Sequence, residues 1–393
     1  MKKYFRRTWV EVSLDALGHN YNTIKDSLTP GTDIMAIVKA DAYGHGVENV
    51  VREFSANGCS WFAVSNLEEA MQVRSFNDEC SILILGYTPP EYAETLAINN
   101  ISQALIDAEY AKRLSQKAVE SGVQVSVHIK VDTGMSRLGF VYHDSVRDAK
   151  SVEEIASVCK LEGLYAEGIF THFASADEEE GELFTRLQYD LFKTIIGCLE
   201  FEGVKIPLHH CCNSAATIIY PEMHLDLVRP GVILYGLMPS EMLKGKMNLK
   251  PAMKMKTVVS MVKEIPAETP VSYGRTYTSD KDIKIATVPI GYADGLPRSL
   301  SGRMQMKIGG QLVPVIGKIC MDQCMLNVSE LDDIREGGSV VVFDDDPESP
   351  ISVDSIAKAT GTINYEIICG INKRVPRVYT RQKEVESITD YMK

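Results

Sequence analysis

Lys39 is the side chain whose surroundings most clearly suggest chemistry, because it follows the apolar stretch AIV (36–38). An amine held in an apolar environment loses hydration of its charged form and becomes usable as a nucleophile or base. A lysine at the end of a strand is more often a solvated surface charge, and that alternative stays open here. Arg229 lies in the apolar stretch LVRPG (227–231). A buried guanidinium there needs either a structural ion pair or a ligand.

A possible phosphate site follows from two further segments. Asn213 and Ser214 precede the helix-like AATII, and Gly231 and Val232 follow Arg229 closely. An N-cap and a simple turn are the plainer interpretations. However, barrel enzymes often bind phosphate at such positions through a hydroxyl and backbone N–H groups. A lysine and a phosphate site at one end of a barrel point to a phosphorylated carbonyl cofactor, pyridoxal 5′-phosphate (PLP).

The elements that must position these residues alternate between strand-like and helix-like segments. Helical spacing of apolar residues occurs in 47–58, 108–122 and 182–203. Strands alternating with helices favour parallel βαβ units, and eight of them predict an α/β fold with an N-terminal (β/α)8 TIM barrel over residues 1–244. The eight strand-like runs are MAIVKA (35–40), WFAVSN (61–66), ILILGY (82–87), ISQALI (101–106), VSVHIKVD (125–132), YAEGIFTH (165–172), KIPLHHC (205–211) and LDLVRPGVILYG (225–236).

The pattern changes after about residue 245. Alternating or β-branched runs separated by turn residues predict a mostly antiparallel C-terminal β domain over 245–393. These runs are 253–265, 283–295, 304–328 and 338–345, and only VDSIAKATG (353–361) has a helical pattern.

The composition excludes several classes of protein. The 393 residues are 45% hydrophobic and 24% charged with a net charge of −12, which argues against disorder and against broad contact with nucleic acid or anionic membranes. No apolar run is long enough for a membrane span. The opening residues MKKYFRRTWVEVSLDAL carry basic residues without an apolar run behind them, so a secretory signal is not expected. The nine cysteines form no CxxC motif, so free thiols in a cytoplasmic compartment are expected.

The motifs as a set resemble the alanine racemase family of fold-type III PLP enzymes. They run through the whole chain: AIVKADAYGHG (36–46), VDTGMSRLGF (131–140), THFASAD (171–177), HCCNSAAT (210–217), LVRPGVILYG (227–236), VSYGRTY (271–277), PIGYADG (289–295), ICMDQ (319–323) and INYE (363–366). The resemblance implies racemisation of L- and D-alanine by two bases, which would supply D-alanine for peptidoglycan.

The resemblance also assigns roles around the cofactor. Lys39 would form the Schiff base and act as one base, and Tyr273 from the partner subunit of a homodimer would be the other. His210 would orient Arg229, which would bond the pyridine nitrogen, while His172 would lie against the ring. The phosphate would be held by Tyr43, Ser214, Gly231, Val232 and Tyr365.

The remaining implied roles concern the substrate and the entrance. Arg137 would contact the phenolic oxygen of PLP and, with the backbone of Met321, the substrate carboxylate. Lys130 matches a position that is often a carbamate in this family and would then brace Arg137. Tyr292, with Tyr365, would narrow the entrance, Asp322 is counted among the supporting residues, and no metal is expected. Arg275 and Cys212 differ from the commonest family residues, which bears only on fine substrate preference.

Four alternatives remain open at this point. A serine or broader racemase would use the same residues. A non-catalytic PLP protein would end near residue 240, and a PLP decarboxylase would place an acid where Arg229 stands. A metal hydrolase would need ligands from the set His172, His209, His210, Cys211 and Cys212, but adjacent strand residues point to opposite faces.

Overall fold

The computed structural model describes residues 7–393, which form two compact units. One unit comprises residues 18–42 and 47–249, and the other comprises the described residues up to 17, residues 43–46 and residues 250–393. The break at residue 249 lies five residues beyond the division expected at 244. The residues up to 17 belong with the C-terminal residues because the first strand joins their sheet. Residues 43–46 join them because Arg377 donates to Gly44 O and Tyr379 donates to His45 O.

The described strands lie throughout the chain. In chain order they are β1 (Thr8–Ser13), β2 (Asp33–Ile37), β3 (Trp61–Val64), β4 (Ser81–Ile84), β5 (Ile101–Leu105), β6 (Val125–Asp132), β7 (Phe140–Val141), β8 (Leu164–Phe170), β9 (Leu208–His210), β10 (Leu227–Val228), β11 (Met253–Val258), β12 (Met261–Ile265), β13 (Ile283–Val288), β14 (Gln305–Ile308), β15 (Gln311–Ile316), β16 (Cys324–Asn327), β17 (Ser339–Phe343), β18 (Arg377–Arg381) and β19 (Glu384–Thr389).

The helices lie mainly between the strands of the first half. They are α1 (Leu14–Asp26), α2 (Lys39–Tyr43), α3 (Val47–Ala56), α4 (Leu67–Phe76), α5 (Ala93–Ile98), α6 (Ala108–Glu120), α7 (Lys150–Val158), α8 (Glu182–Phe201), α9 (Ser214–Ile219), α10 (Val353–Thr360) and α11 (Asn364–Cys369). Short 3-10 helices are Pro90–Tyr92, Pro221–Met223, Val232–Tyr235, Glu241–Leu243, Tyr273–Arg275, Tyr292–Asp294 and Arg298–Leu300. None of the described helices is long and apolar enough to cross a membrane.

The first unit is the expected barrel of eight parallel strands. Their order is β10-β2-β3-β4-β5-β6-β8-β9, and β7 pairs with β6. Backbone bonds from Asp226 N to His209 O (3.2 Å) and from Arg229 N to Cys212 O (2.9 Å) connect the two ends. Each of the eight predicted runs overlaps one barrel strand. The last run is shorter than expected, because Pro230 lacks a donor for the ladder and Val232–Tyr235 becomes a 3-10 helix.

Burial explains why the barrel strands appeared in the sequence as continuous apolar runs. Ile82, Leu83 and Ile84 of β4 are all fully buried, as expected for parallel strands covered by helices on one face and packed in the barrel on the other. The covering helix α3 buries Val47, Val50, Val51 and Phe54 at three- and four-residue spacing.

The second unit is a ten-stranded sheet that is mostly antiparallel, as predicted. Its order is β12-β13-β16-β15-β14-β17-β11-β1-β18-β19, and the β1–β18 pair is parallel. Two elements were not predicted. They are β1, with the alternating sequence TWVEVS, and α11, which places Tyr365 in the first turn of a second helix.

The turn α2 directly after β2 is left-handed. Ala40, Asp41, Ala42 and Tyr43 all have φ between 52° and 55°, a conformation that costs roughly 1–2 kcal/mol per residue outside glycine. Hydrogen bonds from backbone N–H groups in and after this turn to two carboxylates offset part of this cost. Glu69 Oε1 accepts from Ala40 N at 2.7 Å and Asp41 Oδ1 accepts from Val47 N at 2.9 Å. The turn fixes the backbone that follows Lys39.

Candidate active site

Nine of the expected site residues belong to the barrel unit, and most lie at the carboxyl ends of its strands, where barrel enzymes do chemistry. Lys39 follows β2, His172 follows β8, His210 ends β9, and Ser214 opens α9. Lys130 lies within β6, and Arg137 is exposed in the loop after it. Arg229, Gly231 and Val232 follow β10.

Arg229 is buried, with 4% exposure, and forms no ion pair with any described residue. Its Nη1 donates to His210 Nδ1 at 2.8 Å. Its Nη2 donates to the carbonyls of Thr171 (2.7 Å) and Cys211 (3.1 Å) and to His172 Nδ1 (3.3 Å). Within residues 7–393 none of its bonds uses Nε. The guanidinium is therefore held by neutral acceptors, and its Nε–H remains available to a further acceptor.

The charges around Arg229 are set by burial. Burial lowers the pKa of Arg229 to about 10, so the guanidinium stays protonated at neutral pH. Burial, reinforced by Arg229, also holds the pKa of His210 and of His172 well below the ordinary histidine value. Both imidazoles are consequently neutral and can accept from a donor-only guanidinium.

Ser214 and Gly231, two of the residues expected to bind phosphate, are in direct contact. Gly231 N donates to Ser214 Oγ at 2.8 Å, which leaves the hydroxyl hydrogen to be donated elsewhere. Asn213 caps α9 by accepting from Ala216 N at 3.0 Å, so the N-cap interpretation of Asn213 is right as well. Gly231 and Val232 bring their backbone to the start of a 3-10 helix.

Lys130 is an unusual buried amine. It is 6% exposed, donates to Val131 O at 2.7 Å, and lies 5.5 Å from the centroid of the Phe170 ring. Burial, followed by the charge of Arg229, lowers the pKa of Lys130 to about 7. Much of this amine is therefore neutral, and hence nucleophilic, at physiological pH.

The other expected residues belong to the second unit. Tyr273 is 70% exposed and opens a 3-10 turn. The preceding Ser272 has φ 68° and ψ −178°, a region populated essentially by glycine, where a side chain costs of order 1–3 kcal/mol. Ser272 Oγ donates to Lys318 O at 2.7 Å. The turn that presents Tyr273 is therefore strained and tied down.

Tyr292 and Met321 lie on two loops joined by backbone bonds. Tyr292 N donates to Cys320 O at 3.1 Å, and Ala293 N donates to Met321 O at 3.0 Å. A Cβ on Gly291 would lie 2.2 Å from Cys320 O, so only glycine permits this approach.

Sequence reasoning missed the ion-pair cluster behind these loops. Fully buried Asp294 pairs with Arg7 and with Arg374, and Arg374 Nη2 also donates to Asp322 Oδ1 at 2.6 Å. Burial would raise the pKa of Asp294, but the two arginines outweigh it and hold the pKa below its ordinary value. The aspartate within the largely apolar segment PIGYADG (289–295) was the sequence feature that could have indicated a buried ion pair here.

Tyr43 and Tyr365 are neighbours within the second unit. Their ring centroids are 6.0 Å apart at an interplanar angle of 50°. Burial, with a contribution from Tyr365, raises the pKa of Tyr43 above its ordinary value, so its phenol remains a neutral hydrogen-bond donor. No group of three His, Cys, Asp or Glu side chains arranged to hold a metal ion occurs in the described chain.

Comparison with known proteins agrees with this architecture over the full length. Residues 12–239 match the alanine racemase N-terminal domain and residues 252–379 match its C-terminal domain. The chain is 42% identical to alanine racemase of Clostridium tetani, covering 100% of both chains. It is 41% identical to that of Clostridium perfringens strain ATCC 13124, covering 98% of this chain and 99% of the relative.

Solved structures give the same result. Alanine racemase of Clostridium difficile 630 superposes with a TM-score of 0.93 at 39% identity, covering 99% of this chain and 100% of that one. The Bacillus anthracis alanine racemase with bound L-Ala-P gives 0.90 at 33% identity, covering 100% of this chain and 99% of that one. This chain belongs to the alanine racemase family.

Proposed function

We propose that this protein interconverts L- and D-alanine with the help of PLP. The observation that carries the proposal is the buried, charged Arg229, which has no ion-pair partner in the described chain and lies at the same end of the barrel as Lys39. The full-length likeness to alanine racemases supports the choice of substrate.

The residues present fit PLP. Within the barrel unit, Ser214 offers a hydroxyl and Val232 a backbone N–H for its phosphate, and Gly231, whose N–H donates to Ser214 Oγ, would turn that N–H to the phosphate when it binds. The family resemblance adds the phenols of Tyr43 and Tyr365 to this role. Arg229, whose Nε makes none of the described bonds, would donate to the ring nitrogen, and His172 would lie beside the ring. When bound, PLP supplies an electron sink that acidifies the Cα–H bond of an amino acid.

Two bases on opposite faces of the substrate explain racemisation. A single base tends to return the proton to the face from which it came, whereas a second base can deliver one to the other face. Lys39, at the barrel end of β2, and Tyr273, on its strained turn, are the proposed pair. Arg137 and the backbone of Met321 would hold the substrate carboxylate, and Tyr292 and Tyr365 would limit the entrance.

We propose a homodimer whose sites are completed across subunits. Tyr273 and Met321 are 70% and 52% exposed and lie on a cavity of about 840 Å³ lined also by Met261, Ile265, Val271 and Met325. The exposed side chains of Met261, Tyr273 and Met321 give this cavity an apolar rim of the kind at which a partner binds. A second copy presenting its barrel end is the occupant that would bring the proposed bases together.

Lys130 has a proposed supporting role as a carbamate. Its neutral amine can attack CO2, forming an N–C bond as one C=O π bond opens to a carboxylate and one proton leaves to solvent. An anion able to brace Arg137 would then stand beside Arg229 and Arg137, where the protonated amine would be a third cation. This exchange would remove like-charge repulsion and supply hydrogen-bond acceptors.

The test is to purify the protein and measure its visible absorbance and its turnover of L-alanine, D-alanine and L-serine. We expect a bound-PLP band and alanine turnover in both directions. Turnover that favours serine would support the broader racemase instead, and bound PLP without turnover would support a PLP-carrying protein. We place the activity in the cytoplasm, supported by the nine free cysteines of the described residues, and propose that it supplies D-alanine for peptidoglycan.

A further inference from the structure

We propose that Glu167 is a positioning residue for Arg229 and acts through His128 and His210. The proposal rests on the proposed function in one respect, namely that Arg229 donates to the ring nitrogen of the cofactor. None of the motif-derived roles includes Glu167 or His128.

A continuous chain of hydrogen bonds connects these side chains inside the barrel unit. Arg229 Nη1 is hydrogen-bonded to His210 Nδ1 at 2.8 Å, and His210 Nε2 is hydrogen-bonded to His128 Nδ1 at 2.8 Å. His128 Nε2 then lies 3.2 Å from Glu167 Oε2, which also accepts from the Ser102 hydroxyl. Both histidines are fully buried.

The direction of every bond in this chain follows from its two ends. Arginine only donates, so His210 Nδ1 must accept and its proton must be on Nε2. That proton is donated to His128 Nδ1, so the proton of His128 must also be on Nε2. It is donated to Glu167, and an ionised carboxylate only accepts. One tautomer of each histidine therefore satisfies the chain.

The charges agree with this assignment. Burial lowers the pKa of His128 and of His210, so both rings are neutral. Burial would raise the pKa of Glu167, but hydrogen bonds from His128 and Ser102 outweigh it and hold the pKa below its ordinary value. A cation at one end and an anion at the other thus polarise two neutral imidazoles between them.

The backbone is shaped to make the carboxylate reach His128. In the β6–β8 ladder Val127 pairs with Ala166 and His128 pairs with Gly168, so Glu167 is the extra residue of a β-bulge. Bulges re-aim side chains and are common near active sites. A Cβ on Gly168 would lie 2.3 Å from His128 Nδ1, so glycine provides the space for the imidazole.

The consequence for Arg229 is a fixed orientation. If Glu167 no longer accepted, His210 could carry its proton on Nδ1 and would then present an N–H to the Nη1 donor. The guanidinium would have to turn away, and its Nε would lose its alignment. Glu167 therefore acts by keeping Arg229 available as a donor to the ring nitrogen.

The first test needs no substitution. The chain has eight histidines, and ¹⁵N-histidine labelling of the wild-type holoenzyme reports which ring nitrogen of each carries the proton. Samples in which His128 or His210 is replaced by asparagine assign the two resonances. We expect the Nε2–H tautomer for both. A proton on Nδ1 of either ring overturns the proposal, whatever the activity of the enzyme.

The second test compares Glu167→Gln with Ser102→Ala. The amide of glutamine can donate to His128 Nε2, which the carboxylate cannot do, so only Arg229 would still favour the original bond directions. The opposite tautomers should therefore appear beside the original ones. We expect the dissociation constant of PLP to rise and kcat for alanine to fall by about tenfold each, the size typical of partners that orient a ligand, with KM little changed. Ser102→Ala removes a donor to the same carboxylate but leaves the bond directions intact, so it should change neither quantity.

Two results of the second test would overturn the proposal. One is mixed tautomers in Glu167→Gln with unchanged PLP affinity, and the other is an equal effect of Ser102→Ala. If Glu167→Gln does not fold, the tautomers of His128 and His210 in the wild-type holoenzyme still test the proposal. A wild-type protein that binds no PLP contradicts the proposed function instead, so the two failures are distinguishable.

Discussion

Lys130 combines deep burial with cationic neighbours, and its amine should respond to pH and to CO2. Burial lowers its pKa to about 7, so the neutral fraction that can form a carbamate grows above pH 7 and is lost as the pH falls below it. We expect a carbamate signal in ¹³C NMR of holoenzyme equilibrated with ¹³CO2, stronger at pH 8 than at pH 6.

Lys130→Arg is the matching substitution, because arginine stays charged and cannot form the carbamate. It would place a third guanidinium near Arg137 and Arg229. We expect KM for alanine to rise about tenfold through the loss of a charged hydrogen-bond brace on Arg137. Absence of the ¹³C signal together with an unchanged KM would rule out the carbamate.

Tyr365 should influence the choice between alanine and serine. Its ring packs beside buried Tyr43, and a full-sized phenol leaves room for a methyl group but crowds a hydroxymethyl group. We expect Tyr365→Asn to raise the serine-to-alanine ratio of kcat/KM, within the ~1–3 kcal/mol that one pocket contact supplies, and to weaken PLP retention. Tyr365→Phe keeps the ring, which would form one wall of the substrate pocket, and removes the hydroxyl. It should therefore weaken PLP retention without changing the serine-to-alanine ratio. An unchanged ratio in Tyr365→Asn would assign the wall to Tyr292 or Met321.

At the scale of elements, the turn that presents Tyr273 is held in a conformation suited to glycine. Ser272→Gly and Ser272→Ala both remove the hydroxyl bond to Lys318 O, but only glycine relieves the strain at φ 68°. Relief of about 1–3 kcal/mol exceeds the cost of glycine's extra freedom in the unfolded chain, about 0.4–1 kcal/mol. We therefore expect the glycine variant to be about 1 kcal/mol more stable than the alanine variant, the reverse of the usual order.

Urea denaturation of the two Ser272 variants measures this difference. Steady-state kinetics should show a lower kcat in Ser272→Gly, because a relaxed turn no longer fixes Tyr273. If alanine is the more stable variant, the backbone at Ser272 is not strained in solution.

At the scale of the whole molecule, the shared site predicts complementation between two inactive variants. Lys39→Ala and Tyr273→Phe should each be nearly inactive alone. Refolded together as an equimolar mixture, half of the dimers would be mixed, and each mixed dimer would contain one intact site. We therefore expect about one quarter of wild-type activity per subunit.

The control for this experiment is the same mixture combined without unfolding, which should stay inactive if subunits do not exchange. Activity of the Tyr273→Phe protein alone would instead show that Tyr273 is not a required base. Loss of activity in the refolded mixture, with dimers present, would place both bases in one subunit.

The sequence by itself was sufficient for the barrel and for the mostly antiparallel second sheet, and it named the candidate site residues. Parallel strands buried on both faces have to be continuous apolar runs, so β2 to β6 and β8 were visible without a structure. Residues at the carboxyl ends of such strands must face one end of the barrel, which singled out Lys39, His172, His210 and Arg229.

Only the tertiary structure decided how these side chains are held. The left-handed turn after Lys39, the positive φ at Ser272 and the bulge at Glu167 leave no trace in hydrophobic periodicity, because periodicity reports which face is buried and not local backbone angles. The pairing of β1 with β11 and β18 and the chain from Arg229 to Glu167 join residues far apart in sequence. Such contacts form because folding brings buried donors and acceptors together, and no local pattern encodes their partners.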